Sequence, residues 1–99
     1  MLNKILLENL IKQITSNYDV KKIIIYGSWA RGNNRINSDI DIAVSLTGNI
    51  ATIRNCVEEN VRTLLKFDIV DYDKLPYNLK KEIDNDGVVV YEKNRTNIS

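Results

Sequence analysis

Histidine is absent from the 99-residue sequence, and cysteine and proline occur only once each. Without histidine, the chain lacks the commonest general base, a Ser-His-Asp triad and any histidine-ligated metal. The single cysteine, Cys56, excludes an internal disulfide and a cysteine-ligated zinc cluster, which fits a reducing compartment. We therefore predict a cytoplasmic protein.

Neither sign of charge dominates, because the chain has 14 basic and 13 acidic residues and a net charge of +1. No basic footprint for nucleic acid is present, so direct nucleic-acid binding is not expected. The N-terminal stretch MLNKILLENLIKQI is interrupted by Glu8, Asn9 and Lys12 and lacks a small-residue cleavage site. We therefore expect neither a signal peptide nor a membrane span.

The spacing of apolar residues predicts alternating helices and strands in one domain. The expected helices cover 2–17, about 28–31, about 49–65 and a short stretch through Leu75, Leu79 and Ile83, and the expected strands cover 21–26, 39–45, 67–70 and 88–91. This order favours an α/β sandwich, a mixed β-sheet with helices packed on one face. We expect the domain to span residues 1–92 and residues 93–99 to form a flexible tail.

The candidate site lies in the stretch YGSWARGNNRINSDIDIAV, residues 26–44. Asp39 and Asp41 occupy alternate positions near the start of a predicted strand, so both carboxylates point to one face while Ile40 and Ile42 take the other. Two adjacent acids repel each other unless a cation neutralises them, and hard divalent ions such as Mg²⁺ prefer oxygen ligands. The pair therefore indicates a Mg²⁺ site, although an isolated Asp-x-Asp is more often a solvated strand face.

Gly27 and Ser28 lie where the first strand is expected to turn into a helix, and ten residues separate Ser28 from Asp39. Exposed N–H groups at such a helix start attract phosphate. A phosphate cradle beside a metal-binding acid pair is the minimum apparatus for nucleotide chemistry. The alternative is an ordinary N-cap turn without a ligand.

A third carboxylate is sought in the segment FDIVDYDKL, which contains Asp68, Asp71 and Asp73. The side chain of Asp68 is expected on the strand face opposite Phe67 and Ile69, where a lone acid costs free energy unless a charged or hydrogen-bonding group receives it. Asp71 lies at the predicted strand end, and Asp73 lies just ahead of a predicted helix, where an acid can serve as a cap. All three acids stay open on this evidence.

The fuller pattern GSWARG…SDIDIAV resembles the minimal nucleotidyltransferases of the DNA polymerase β superfamily. The positions that carry the resemblance are Gly27, Ser28, Ser38, Asp39 and Asp41, together with the turn Ala30-Arg31-Gly32. Such a pattern is more specific than a lone GxGxxG. Members of this family are often the antitoxin partner of a toxin with a HEPN domain.

The resemblance implies a polymerase β-like sheet in which three acids from neighbouring strands meet at one edge, with two Mg²⁺ ions and ATP as substrate. The implied catalytic and metal-binding residues are Asp39, Asp41 and Asp68, and the implied nucleotide-binding residues are Gly27, Ser28, Arg31 and Ser38. Asp71 is the alternative third acid, and a structural or solvated role is the alternative for Arg31.

The partner implied by the resemblance is a HEPN ribonuclease toxin, bound in a hetero-oligomer, on which AMP is placed at a tyrosine. A protein that neutralises the toxin by binding alone is one alternative, and a nucleotidyltransferase that acts on another acceptor is a second. An intact set of metal ligands favours catalysis, because a protein that only binds has no need of it.

Overall fold

The computed structural model describes residues 4–27, 29–30, 39–61, 63 and 65–93. Its elements in chain order are α1 (Lys4–Asn17), β1 (Asp19–Tyr26), β2 (Ile40–Thr47), α2 (Ile50–Asn60), β3 (Phe67–Asp71), a 3₁₀ turn (Tyr72–Lys74), α3 (Tyr77–Asp86) and β4 (Val88–Glu92). The short helix expected at about 28–31 falls largely outside the described residues, as does most of the expected tail. No helix among the described residues is long and apolar enough to cross a membrane.

The four strands form one sheet in the order β3-β2-β1-β4. β1 pairs antiparallel with both β2 and β4, whereas β2 and β3 run parallel and are connected through α2. A parallel pair needs such a crossover, while antiparallel neighbours do not. The predicted fold class, an α/β domain with a mixed sheet, is confirmed.

One face of the sheet is covered by α1 and α2. Between these helices and the sheet lies the larger of two buried cores. Its residues come from α1, from α2 and Val61 just after it, and from β1, β2 and β3. They include Leu10, Ile14, Ile23, Ile25, Ile40, Ile42, Val44, Ile53, Val57, Val61 and Ile69. The strand residues among them alternate along β1 and β2, as expected for side chains that point to a single face.

α3 packs against the opposite face, so the expectation that the helices lie on one side of the sheet holds for α1 and α2 only. Ile83 of α3 forms a second buried cluster with Ile24 of β1 and Ala43 of β2. In the sequence, Ile24 and Ala43 each stand between two residues of the larger core, so their side chains point to the opposite face. Because the middle of β1 and β2 is apolar at consecutive positions, both faces need a cover.

The C-terminal end of α2 differs from the expectation of a helix to about residue 65. The helix ends at Asn60, and Val61 is extended with φ −107°. The Asn60 side-chain amide donates to the backbone carbonyl of Cys56 at 2.9 Å, a bond of the kind with which asparagine competes with helical hydrogen bonds. Val61 stays buried in the core although it is not helical, so the apolar spacing continues beyond the helix itself.

Polar contacts fix the ends and the outer edge of β3. The Arg54 Nε donates to the carbonyl of Ile69 at 2.8 Å and so covers a backbone acceptor on the edge of the sheet. At the end of the strand, the Asp71 carboxylate accepts from the backbone N–H of Asp73 at 3.2 Å. Asp71 therefore caps the 3₁₀ turn. The next helix, α3, follows Pro76 and has no side-chain cap, so the cap expected from Asp73 ahead of that helix is not formed. Asp73 instead accepts a hydrogen bond of 2.7 Å from the Ser45 hydroxyl.

We predict that Ile83→Ala destabilises the protein, because Ile83 is 1% exposed and is the buried side chain that anchors α3 to the sheet. Removing a buried isoleucine side chain to alanine costs about 2–5 kcal/mol. The matched control is Ile5→Ala on α1, where the side chain is 79% exposed and the loss should stay within about 0.5 kcal/mol. Chemical denaturation measures both, and equal losses would contradict the assigned position of α3.

Candidate active site

Three side chains from three neighbouring strands lie in one row across the sheet. Asp41 of β2 is the register partner of Tyr26 in the antiparallel pair with β1. The same Asp41 is the register partner of Asp68 in the parallel pair with β3. Register partners on adjacent strands place their side chains on the same face. Since Ile40 and Ile42 point into the larger core, this row lies on the face that α3 covers farther along the strands.

Asp39 immediately precedes β2 and is exposed. It lies two positions before Asp41, so the alternation of side chains places it on the side of Asp41. Asp41 is half-buried, whereas Asp68 on the edge strand is exposed. The structure therefore brings Asp41 and Asp68 side by side and leaves Asp39 at the margin of the row.

Gly27 follows β1 directly and forms a turn with φ +75°. This left-handed conformation favours glycine. A Cβ atom at this position would collide with a carboxylate oxygen of Asp41. The predicted turn at Gly27 is confirmed, and the absence of a side chain lets the backbone lie directly against the Asp41 carboxylate.

The register separates the two candidates for the third carboxylate. Asp71 pairs with Val44, three positions along the strand from the Asp41–Asp68 pair. Three positions place Asp71 on the opposite side from Asp68. Its carboxylate also accepts the backbone hydrogen bond that caps the 3₁₀ turn. Proximity to Asp41 thus favours Asp68 over Asp71.

The two aspartates of this row suit a hard divalent cation, because they offer carboxylate oxygens. Among the described residues, no three or more Asp, Glu, Cys or His side chains are grouped so that they could hold a metal ion by themselves. Mg²⁺ is usually held by one or two carboxylates together with substrate phosphates rather than by a complete protein cage. Asp41 and one neighbouring acid would supply the one or two carboxylates that such a Mg²⁺ site takes from the protein.

Tyr26 is a member of the row that the sequence pattern does not single out. Burial, followed by the negative charges of Asp41 and Asp68, raises the pKa of the Tyr26 phenol above its ordinary value. The phenol is therefore a protonated hydrogen-bond donor beside the carboxylates at neutral pH. Its position just before Gly27 is visible in the sequence, but its pairing with Asp41 depends on the strand register, which is not.

Three of the predicted nucleotide-binding residues, Ser28, Arg31 and Ser38, lie outside the described residues, and their roles stay predictions. Trp29, which follows Ser28, is partly buried and packs against the larger core. Of the residues predicted for nucleotide binding, Gly27 is the one that the described structure places beside the acids.

Comparisons with known proteins identify the family of the chain. The family model of the polymerase beta nucleotidyltransferases matches residues 8–96. Two similar proteins of Methanocaldococcus jannaschii are described as candidate protein adenylyltransferases. One is 54% identical over 33 residues, which are 33% of this chain and 38% of that protein. The other is 32% identical over 84 residues, which are 80% of this chain and 85% of that protein.

The fold is also shared with solved structures. One is a structure of a tri-AMPylated Shewanella oneidensis HEPN toxin in complex with an MNT antitoxin, in which a chain matches with a TM-score of 0.68 and 19% identity over 97% of this chain and 77% of its own. The family match extends over nearly the whole chain and includes the elements that carry the aspartates and Gly27. With its mixed sheet and its acid-bearing strands, the chain belongs to the polymerase beta nucleotidyltransferase family.

Proposed function

We propose that the chain is a Mg²⁺-dependent protein adenylyltransferase that acts as the antitoxin of a HEPN ribonuclease toxin by transferring AMP from ATP to a tyrosine of the toxin. The observation that carries this proposal is the register that pairs Asp41 with Asp68, directly beside the positive-φ turn at Gly27. Carboxylates next to an open backbone turn can serve a metal ion and a phosphate chain at once.

Asp39 and Asp41 would hold Mg²⁺, and Asp68 would complete a second metal position. Bound Mg²⁺ would neutralise the phosphate charge and polarise the phosphorus that is attacked. Gly27 is proposed to bind the phosphates through its backbone N–H, and Ser28 and Ser38 are proposed to bind them through their hydroxyls. Arg31 is proposed to neutralise the outer phosphates, since guanidinium groups bind phosphate oxygens in pairs.

In the proposed transfer, the acceptor hydroxyl oxygen forms a bond to the α-phosphorus of ATP. The bond from this phosphorus to the bridging oxygen of the β-phosphate breaks, and pyrophosphate leaves. Asp68 takes the proton of the acceptor hydroxyl. The chain forms no covalent intermediate, so catalysis depends on in-line positioning and on electrostatics.

The acceptor is inferred from what similar proteins are described as doing and from the partner in one solved complex. The two Methanocaldococcus jannaschii proteins are described as candidate protein adenylyltransferases, and the Shewanella oneidensis complex contains a tri-AMPylated HEPN toxin. We infer the same class of acceptor for this chain, with the two proteins forming a hetero-oligomer. An AMP group adds negative charge to the toxin at the modified tyrosine, which would oppose the binding of RNA.

The double substitution Asp39→Ala with Asp41→Ala is expected to abolish AMP transfer to a co-expressed HEPN partner, because the metal ions lose their ligands. Intact-mass spectrometry after incubation with ATP and Mg²⁺ should show one or more AMP units for the unchanged protein and none for the variant. The control Asp84→Ala removes an exposed acid that bonds the Tyr72 hydroxyl and should keep transfer.

Survival of transfer in the double variant would exclude this site. If the unchanged protein adds no AMP but the double variant still binds and silences the toxin, then neutralisation is by binding alone. Circular dichroism on the variant shows whether the fold is intact.

The third carboxylate can be assigned by comparing Asp68→Asn with Asp71→Asn. The first change removes a charge beside Asp41, and we expect at least a 100-fold lower transfer rate, within the range of about 10²–10⁴ for general acid–base groups. The second keeps a side-chain oxygen that can accept the Asp73 N–H, so both the stability and the transfer rate should change little. AMP transfer is measured by quench-flow. If Asp71→Asn lowers the transfer rate and Asp68→Asn does not, the role belongs to Asp71.

A further inference from the structure

A cavity of about 210 Å³ lies between the end of β1 and α3, next to the row of carboxylates. Among the described residues, its lining includes Tyr26, Gly27, Leu79, Glu82, Ile83 and Asp86. Pockets that enclose drug-sized ligands measure about 300–1,000 Å³, so this cavity is suited to one side chain rather than to a whole nucleotide.

The chemistry of the lining distinguishes between the two reactants. Leu79 and Ile83 give the cavity an apolar floor, while Glu82 and Asp86 are exposed acids on the α3 side. A triphosphate would be repelled by these two carboxylates, since like charges in proximity are unfavourable. An apolar or aromatic side chain with a cationic neighbour suits the same surface. Charge therefore favours the acceptor over ATP as the occupant.

Tyr26 belongs both to the cavity and to the row of carboxylates. It lines the cavity with Gly27, and it is the register partner of Asp41. The described part of the chain contains no hydrogen-bond partner for the Tyr26 hydroxyl, although the hydroxyls of Tyr18 and Tyr72 both have one. This hydroxyl is thus an available donor at the boundary between the cavity and the acids.

We propose that this cavity is the acceptor subsite and that the Tyr26 hydroxyl binds the acceptor hydroxyl as it approaches Asp68. The proposal rests on the adenylyl transfer proposed above and adds to it the place where the acceptor side chain enters. The ring of Tyr26 forms one wall of the subsite, and its oxygen aligns the attacking group. Glu82 and Asp86 attract a basic residue of the acceptor protein that flanks the modified side chain.

If Tyr26 had only a structural role, its ring would matter and its hydroxyl would not. The ring packs against the buried cluster of Ile24, Ala43 and Ile83. If packing were its whole contribution, phenylalanine would replace it without loss, because the ring is retained. The hydroxyl and the ring can therefore be tested separately.

The test compares Tyr26→Phe, which removes the hydroxyl, with Leu79→Trp, which fills the cavity, using the co-expressed HEPN partner as acceptor. Loss of one hydrogen bond to the reacting group should lower kcat/KM for the acceptor about tenfold in Tyr26→Phe. Leu79→Trp should raise KM for the acceptor by at least a similar factor. In both variants KM for ATP should stay within about twofold, as should ATP–Mg²⁺ affinity measured by calorimetry.

The matched control is Tyr91→Phe, since Tyr91 is also partly buried on the sheet but packs against the larger core and not against the cavity. It should transfer AMP like the unchanged protein. Melting temperatures of all variants show whether a loss reflects unfolding, and Tyr26→Phe keeps the test decisive if Leu79→Trp does not fold.

Transfer by Tyr26→Phe at the rate of Tyr91→Phe would overturn the proposal, and so would a parallel loss of ATP affinity, which would assign the cavity to the nucleotide. Failure of the unchanged protein to transfer AMP is a separate outcome. It would remove the proposed function itself, and the acceptor subsite with it.

Discussion

The pairing of β2 with its two neighbours is the constraint on which the site depends. β2 is held antiparallel by β1 and parallel by β3, and this double register aligns Tyr26, Asp41 and Asp68 in one row. Side chains alternate with a period of two residues, so a slip by one position would turn Asp41 into the larger core and expose Ile40 and Ile42. The burial of those isoleucines is therefore also what directs the carboxylate outward.

In the described part of the chain, the sheet is covered on both faces in its middle and is more accessible at the end where the acids lie. Ile24 and Ala43 on the α3 face are buried under Ile83. At the same face, the end of β1 and the start of β2 carry Tyr26 and Asp41, which remain partly accessible. Apolar burial next to the site packs the strands together, while the accessible acids beside it can accept charged ligands. Packed strands that hold accessible side chains in place are what catalysis by positioning requires.

The strands and one turn were predicted correctly from the residues, whereas the end of α2, the position of α3 and a helix cap were not. The strands and the turn at Gly27 follow from apolar runs and from glycine chemistry. The end of α2 was placed too late because Val61 continues the apolar spacing after the helix has ended. α3 was assigned to the wrong face because amphipathic spacing shows that a helix has a buried side but not which surface it meets. Asp73 was expected to cap the helix that follows it, but its carboxylate accepts from Ser45 and α3 has no side-chain cap.

By itself, the sequence determined that this is a small α/β domain with an acid pair near the start of a strand and a Gly-Ser turn ten residues upstream. These are local properties, set by side-chain alternation and by the conformations that glycine permits. The strand order, the side of the sheet that α3 covers and the partnership of Asp41 with Asp68 and Tyr26 were decided by tertiary structure alone. They depend on contacts between residues far apart in the chain, which periodicity along one segment cannot encode.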